Sequence, residues 1–201
     1  MDRHAVQRLG RPLAAAAALL AGACADGPLV GPDRTGGASA AKSAAQADAS
    51  RGARGVELAG DCAKLEAPAG SALAFHAHAR GVQIYRWTGS AWAFDGPSAV
   101  LSADAAGRST VGTHYAGPKW EHAGGGVVAA TVGERCTPDA AAIPWLTLHA
   151  TSDGGPGVFK RVTFIQRVNT VGGKEPTFAG SHAGQVERVP YTAEYYFYRT
   201  K

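Results

Sequence analysis

The sequence predicts an all-β fold: a single sandwich or barrel-like domain of short antiparallel strands, behind a signal peptide and a flexible tether. Alternating segments rich in Val, Thr, Phe, Tyr and Trp occur only after about position 70. Glycine- and proline-containing turns separate these segments at regular intervals, which is typical of sandwiches and barrels. No apolar repeat of helical period competes with the strands in this part of the chain.

Residues 1–23 have the features of a bacterial lipoprotein signal peptide. A short uncharged apolar segment, too short to cross a bilayer as a stable helix, follows three arginines: Arg3, Arg8 and Arg11. Small residues then precede Cys24, which we expect to be lipidated and to anchor the protein to a membrane of the cell envelope. Plain secretion after ordinary cleavage is the alternative.

Residues 24–56 form the predicted tether, and residues 57–201 form the predicted β-rich domain. The tether lacks aromatic residues and cannot bury enough apolar surface to offset the entropy of ordering it. The net charge is +4, to which the three arginines of the signal peptide contribute. Because no basic cluster is interleaved with aromatic residues, no nucleic-acid partner is expected.

Cys62 and Cys136 are the two cysteines of the predicted domain. An even pair in an exported protein favours a disulfide, which would close a long loop and contribute about 4 kcal/mol in the chain-entropy model. A two-cysteine metal site would need the short CxxC spacing, which is missing.

Turn signals divide the domain into predicted strands, with Gly81 as a break and 158–168 as the longest strand. The residues of the last strand alternate, so Tyr195 and Phe197 share one face while Glu194, Tyr196 and Tyr198 share the other. The predicted strands are 73–79, 82–87, 92–94, 99–101, 127–132, 143–150, 158–168, 186–189 and 191–199.

Several of these segments together resemble an uncharacterised family of bacterial and fungal exported proteins, domain of unknown function 3455. They are GVQIY (81–85), WAF (92–94), GTHYAGPKWE (112–121), AIPWL (142–146), IQRVNTVGG (165–173) and VPYTAEYYFY (189–198). The resemblance implies an exported, all-β domain but no activity or catalytic residue. It also implies cysteines at Trp87 and near Gly180, which this chain lacks, so Cys62 and Cys136 would replace that link.

The densest group of chemically capable side chains lies in residues 111–121. His114, Tyr115, Trp120 and Glu121 are a candidate ligand pocket, with His114 or Glu121 as a base, Tyr115 as a donor and Trp120 as a stacking platform. The alternative is a structural loop in which the aromatic residues anchor the core and the glycines shape the backbone.

A second candidate site consists of histidines. His76 and His78 are two apart on a strand and therefore point the same way, so together with His114 they could bind a divalent metal. Glu121 or His122 is a further candidate ligand. The alternative is that these are half-exposed strand histidines without a ligand.

Four polar residues on or beside predicted strands complete the candidates. We expect Gln83, Gln166, Arg167 and Asn169 to form a hydrogen-bond network that holds the loops, with a polar pocket floor as the alternative.

The sequence favours a cell-envelope lipoprotein with a non-catalytic or ligand-binding β-domain. It contains no GxSxG, Walker, HExxH or CxxC motif, so no catalytic residue and no cofactor beyond a divalent metal is predicted. One alternative is a metal-assisted envelope enzyme that uses the histidines of 76–78 and 114–122. Another is a carbohydrate or cell-wall binder; the expected partners are thus the membrane and a small molecule or glycan.

Overall fold

A computed structural model describes residues 56–200 and shows eight antiparallel strands that close into one barrel. Each strand pairs with the next along the chain, and β8 pairs with β1 to complete the sheet. The all-β prediction is therefore confirmed, in its barrel form. The strands are β1 (Ser71–Trp87), β2 (Trp92–Ser102), β3 (Thr110–Tyr115), β4 (Lys119–His122), β5 (Val127–Cys136), β6 (Trp145–Ala150), β7 (Val162–Gly172) and β8 (Val186–Thr200).

Two short 3-10 helices, η1 (Gly60–Leu65) and η2 (Gly157–Phe159), accompany the strands. Among the described residues, no helix has the length and apolar character needed to cross a membrane. The predicted signal peptide, Cys24 and almost all of the predicted tether lie outside the described residues.

Side-chain alternation separates the inside of the barrel from its outside, as predicted for the last strand. The odd-numbered aromatic residues Tyr195 and Phe197 of β8 belong to the interior core. Tyr196 and Tyr198 face outward and form a second apolar cluster with residues of β7 and of the chain before β1. Because β7 and β8 are covered on both faces, they are apolar on both faces.

The two ends of the barrel differ. At the lower end, where β1 begins, the fully buried ring of Phe159 packs against Phe75, His122 and Phe197, with ring centroids 4.9 to 6.1 Å apart. These rings close the lower end. At the upper end, the 173–185 connection lies against β1 and β2, where Tyr85 donates a hydrogen bond of 2.7 Å to the carbonyl of Gly173.

Cys62 and Cys136 form the predicted disulfide, which joins η1 to the end of β5. Beside it, the buried side chain of Leu65 packs on the outer surface of the barrel. The Gln166 amide donates to the carbonyl of Leu65 (2.6 Å) and accepts from the hydroxyl of Tyr198 (2.9 Å). The disulfide and this polar contact therefore hold η1 against the outside of β5 and β6, next to Gln166 of β7.

Several predicted strand breaks were wrong, because glycine and proline lie within continuous strands. β1 runs through Gly81, whose missing Cβ would lie 2.1 Å from the carbonyl oxygen of Ser98. Gly81 thus permits close approach of β2 rather than ending β1. β2 continues past Pro97 after a bulge, and β8 continues through Pro190. The longest strand is β1, with 17 residues, and not the predicted 158–168 segment.

Trp87 and Gly180, where the family resemblance implies cysteines, lie in contact. A Cβ added to Gly180 would lie 2.4 Å from Cγ of Trp87 and 2.8 Å from its Cβ. The Trp87 indole therefore packs directly on the backbone of Gly180, and this contact connects the 173–185 segment to β1.

Candidate functional site

Residues 111–121 form a tight β-hairpin, made of β3, a turn and β4, rather than a loop. His114 of β3 lies directly opposite Trp120 of β4. Alternation along the two strands directs both of these side chains into the barrel, where Trp120 is fully buried. Tyr115 and Glu121 point outward, and the hydroxyl of Tyr115 lies 3.3 Å from the Glu121 carboxylate. The four candidate pocket residues therefore divide between two faces of the sheet.

His114 is held rigidly inside the barrel. Its ring stacks on that of Trp120 with centroids 4.4 Å apart and an interplanar angle of 4°. Its Nδ1 donates a hydrogen bond of 2.8 Å to the carbonyl of Lys119, which leaves Nε2 as an acceptor. Burial lowers the pKa of His114 to about 3, the hydrogen bond to Lys119 acts in the opposite direction, and the Arg167 charge lowers it further. The imidazole is therefore neutral at physiological pH.

A cavity of about 160 Å³ lies beside His114 in the upper part of the barrel. Its walls are mainly apolar and its polar groups come from six different strands. The lining residues include Gln83, Phe94, Pro97, His114, Pro118, Trp120, Leu146, Leu148, Arg167 and Tyr195. The cavity is thus formed by the barrel as a whole and not by the β3–β4 hairpin alone.

One buried donor in this cavity has no acceptor among the described residues: the indole Nε1 of Trp120. The amide of Gln83 interacts with the hydroxyl of Tyr191, and the hydroxyl of Tyr195 interacts with Tyr191 and Arg167. Burial raises the pKa of the Tyr195 hydroxyl, which stays protonated. Buried polar groups are nearly always paired, so the Trp120 N–H leaves a donor for a bound acceptor.

Arg167 adds positive charge to the same cavity. Its Nε and Nη2 donate to the carbonyl of Pro144, at 3.3 and 2.9 Å. Among residues 56–200 it forms no salt bridge with a carboxylate. The half-buried guanidinium therefore keeps donors and a charge available to a ligand.

The β2 residues at the mouth of the cavity are partly exposed. The ring of Phe94 is 56% exposed, although it lines the cavity. The neighbouring Asp95, in the bulge of β2, also lines the cavity and is paired with Arg86 at 2.7 Å. The acidic group of the cavity is therefore paired with a cation.

His76 and His78 lie on the outer surface of β1, where they alternate with the inward-facing Ala77 and Ala79. Their ring centroids are 4.7 Å apart. His114 lies inside the barrel, so the structure does not bring it to them. It brings Glu194 of β8 instead, which lies directly opposite His78 and accepts a hydrogen bond of 2.9 Å from Nε2 of His76. His122 packs on Phe75 at the lower end.

Glu194 is the centre of a polar network on this outer surface. It accepts hydrogen bonds from His76, from the amide of Asn169 (3.0 Å) and from the hydroxyl of Tyr196 (2.9 Å). Burial raises the pKa of Glu194, but these three hydrogen bonds outweigh burial and lower it to about 2. The carboxylate is therefore ionised at any physiological pH.

The predicted polar network of four residues is thus three separate arrangements. Gln83 and Arg167 line the cavity, as the pocket-floor alternative has it; Gln166 holds η1; and Asn169 supports Glu194. Sequence reasoning assigned no chemistry to Glu194 or Tyr195. The sequence signal that could have identified Glu194 is the alternation of β8, which places its carboxylate on the same face as Tyr196.

Fold and cavity together define a closed antiparallel β-barrel with a small, donor-rich interior site. The chain belongs to the family described as "Protein of unknown function (DUF3455)", whose model matches residues 68–199. That range contains all eight strands except Thr200, the last residue of β8, and it includes both the residues that line the cavity and the group around Glu194. Comparison with curated proteins and with solved structures gives no significant match.

Proposed function

We propose that this domain binds a small, single-ring molecule bearing a carboxylate or similar anionic group, inside the barrel. The observation that carries the proposal is the cavity in which the Arg167 guanidinium and the unpaired indole N–H of Trp120 converge. Burying such a donor without an acceptor costs about 1–3 kcal/mol, and a bound anion would remove that cost. The domain acts as a binding module in this proposal, with no catalytic residue.

The size of the cavity limits the ligand. A cavity of about 160 Å³ is close to the ~150 Å³ engineered cavity that binds benzene. The apolar walls, with Leu146, Leu148 and Val132, suit the ring, while the guanidinium of Arg167 suits the anionic group. The ring of a phenyl carboxylate fits these dimensions, whereas an oligosaccharide does not.

His114 adds a second element of recognition. With Nδ1 committed to the Lys119 carbonyl, its neutral Nε2 can accept a hydrogen bond but cannot donate one. A hydroxyl on the ligand ring would satisfy it. A hydroxylated aromatic acid therefore complements the site better than an unsubstituted one.

Binding is tested by following the four tryptophan indole N–H signals by NMR while benzoate is added to the full chain. We expect the Trp120 signal to shift saturably, and the Trp92 signal to stay in place because its Nε1 already donates to the carbonyl of Phe178 at 2.7 Å. Benzyl alcohol, a neutral molecule of similar size, is expected to bind at least about tenfold more weakly.

Arg167→Gln supplies the matched test of the charge. This variant is expected to lose at least about tenfold in benzoate affinity, since a charge-assisted bidentate contact is replaced by a neutral one. Arg188→Gln changes an exposed arginine of β8 and should bind as the wild type does. Equal affinity of benzoate and benzyl alcohol, or of Arg167→Gln and the wild type, would contradict the proposal.

We further propose that the protein is exported and held to a membrane through lipid on Cys24. The charged start, the short apolar segment and the small residues before Cys24 support this. A lipid anchor and a long polar tether would let the barrel sample ligand at a distance from the membrane surface.

Cys24→Ala is expected to release the protein from the membrane fraction of a bacterial host, because the variant has no thiol to acylate. Ala25→Ser, which keeps the thiol, should leave the protein in that fraction. Cell fractionation with immunodetection measures both. A wild-type protein found in the soluble exported fraction supports plain secretion instead, and an uncleaved protein in the cytosol contradicts export altogether.

A further inference from the structure

We propose that His76, His78 and Glu194 form a binding site for a divalent transition-metal ion on the outer surface of the barrel. One potential ligand atom from each residue lies within 4.8 Å of the other two. This site is separate from the interior cavity, since it lies on the opposite face of β1 and β8. It needs neither His114 nor any ligand of the cavity.

The three side chains are positioned by sheet geometry. His76 and His78 are two apart on β1, and Glu194 pairs with His78 across to β8. Ligand atoms around a zinc ion at ~2.1 Å in tetrahedral geometry are about 3.4 Å apart. The His76 Nε2 and Glu194 Oε2 atoms, at 2.9 Å, already lie within that separation. Modest side-chain rotation would bring the His78 ring to the same point.

Neighbouring residues orient these ligands, as they commonly do around metal sites. Asn169 donates to Oε1 of Glu194 at 3.0 Å, from a bulge in β7 where its backbone has φ of +50°. The ring of Tyr196 stacks on that of His76, with centroids 4.2 Å apart, while its hydroxyl bonds Glu194. Asn169 therefore holds Glu194 in position, and Tyr196 holds both Glu194 and His76.

The ligand set selects the class of ion. Two imidazole nitrogens and one carboxylate oxygen favour Zn²⁺, Ni²⁺ or Cu²⁺ over Mg²⁺ and Ca²⁺, which prefer all-oxygen sites. Three protein ligands leave at least one coordination position open to water or to an exogenous ligand.

A groove of about 180 Å³ borders the proposed site. It is lined by His78, Asn169 and Glu194 of the proposed site and by Arg80, Ser102 and Asp104. A small anionic molecule in this groove could reach both the open metal position and the Arg80 guanidinium. The groove gives the ion a solvent path for entry and exchange.

The test is a titration of the full chain, purified without a histidine tag and treated with a chelator, with Zn²⁺ and Mg²⁺ by calorimetry. We expect one Zn²⁺ per chain and no detectable Mg²⁺ binding. His78→Ala and Glu194→Gln should each weaken Zn²⁺ binding at least about tenfold, since even residues that only orient metal ligands contribute that much. His182→Ala, which removes an exposed loop histidine, is the matched control.

A Co²⁺ spectrum of the wild type gives a readout that does not depend on variants. Ligand-field bands without a thiolate charge-transfer band support nitrogen and oxygen ligation. A thiolate band would place the ion on a cysteine and overturn the proposal. So would the absence of Zn²⁺ binding, or equal binding by His78→Ala, Glu194→Gln and His182→Ala. Arg167→Gln should bind Zn²⁺ normally, which separates this site from the cavity.

Discussion

Replacing Cys62 and Cys136 together with serine is expected to lower the free energy of unfolding by about 4 kcal/mol. The disulfide spans 74 positions, and removing a closure of that length restores entropy to the unfolded chain. The folded state also loses the link between η1 and β5, on which the packing of Leu65 depends. Chemical denaturation of the oxidised wild type and of the double variant measures the difference.

Reducing agent provides the control for that experiment. It should destabilise the wild type by about the same amount and leave the double serine variant unchanged. A loss below about 1 kcal/mol in the variant would show that the η1 contacts, including Gln166 to Leu65, hold the segment without the covalent link.

Acidification is expected to destabilise the barrel by about 4 kcal/mol between pH 7 and pH 3 through His114 alone. The pKa of His114 is about 3 in the folded protein against 6.5 in the unfolded chain. Below pH 6.5 only the unfolded state takes up the proton, so stability is complete above that pH and is lost progressively down to about pH 3. Each unit of pKa difference is worth ~1.36 kcal/mol.

The His114→Asn variant isolates this contribution. Asparagine can still donate to the Lys119 carbonyl but does not titrate, so the unfolding free energy of the variant should fall less steeply between pH 6 and pH 4. The variant should be less stable than the wild type at pH 7 because it lacks the ring that stacks on Trp120. His182→Asn, on an exposed loop, should retain the wild-type slope. Unfolding free energies measured across this range decide the matter; parallel curves for wild type and His114→Asn would contradict the neutral buried imidazole.

Local sequence patterns predicted the features that depend on neighbouring residues. Alternation along β8 assigned Tyr195 and Phe197 to one face and Tyr196 and Tyr198 to the other, and the barrel uses these faces as its inside and outside. The disulfide followed from the parity of cysteines in the domain. Both inferences needed only spacing and composition.

Features that depend on strand pairing could not be predicted. Glu194 lies 118 positions from His76 in sequence, and only closure of β8 on β1 brings the two together. The same closure brings Tyr195 and Arg167 to His114. The local preferences of Gly81 and Pro190 oppose strands and predict strand ends, whereas pairing with neighbouring strands overrides those preferences.

The pairing of β1 with β8 makes the domain a ring that closes only when β8 is present. During synthesis β1 is made first, so its second edge stays uncovered until β8 has been made. A chain that ends before β8 would leave β1 and β7 with unpaired edges, which are templates for aggregation. A nonsense mutation just before β8 should therefore be as harmful as one in β1.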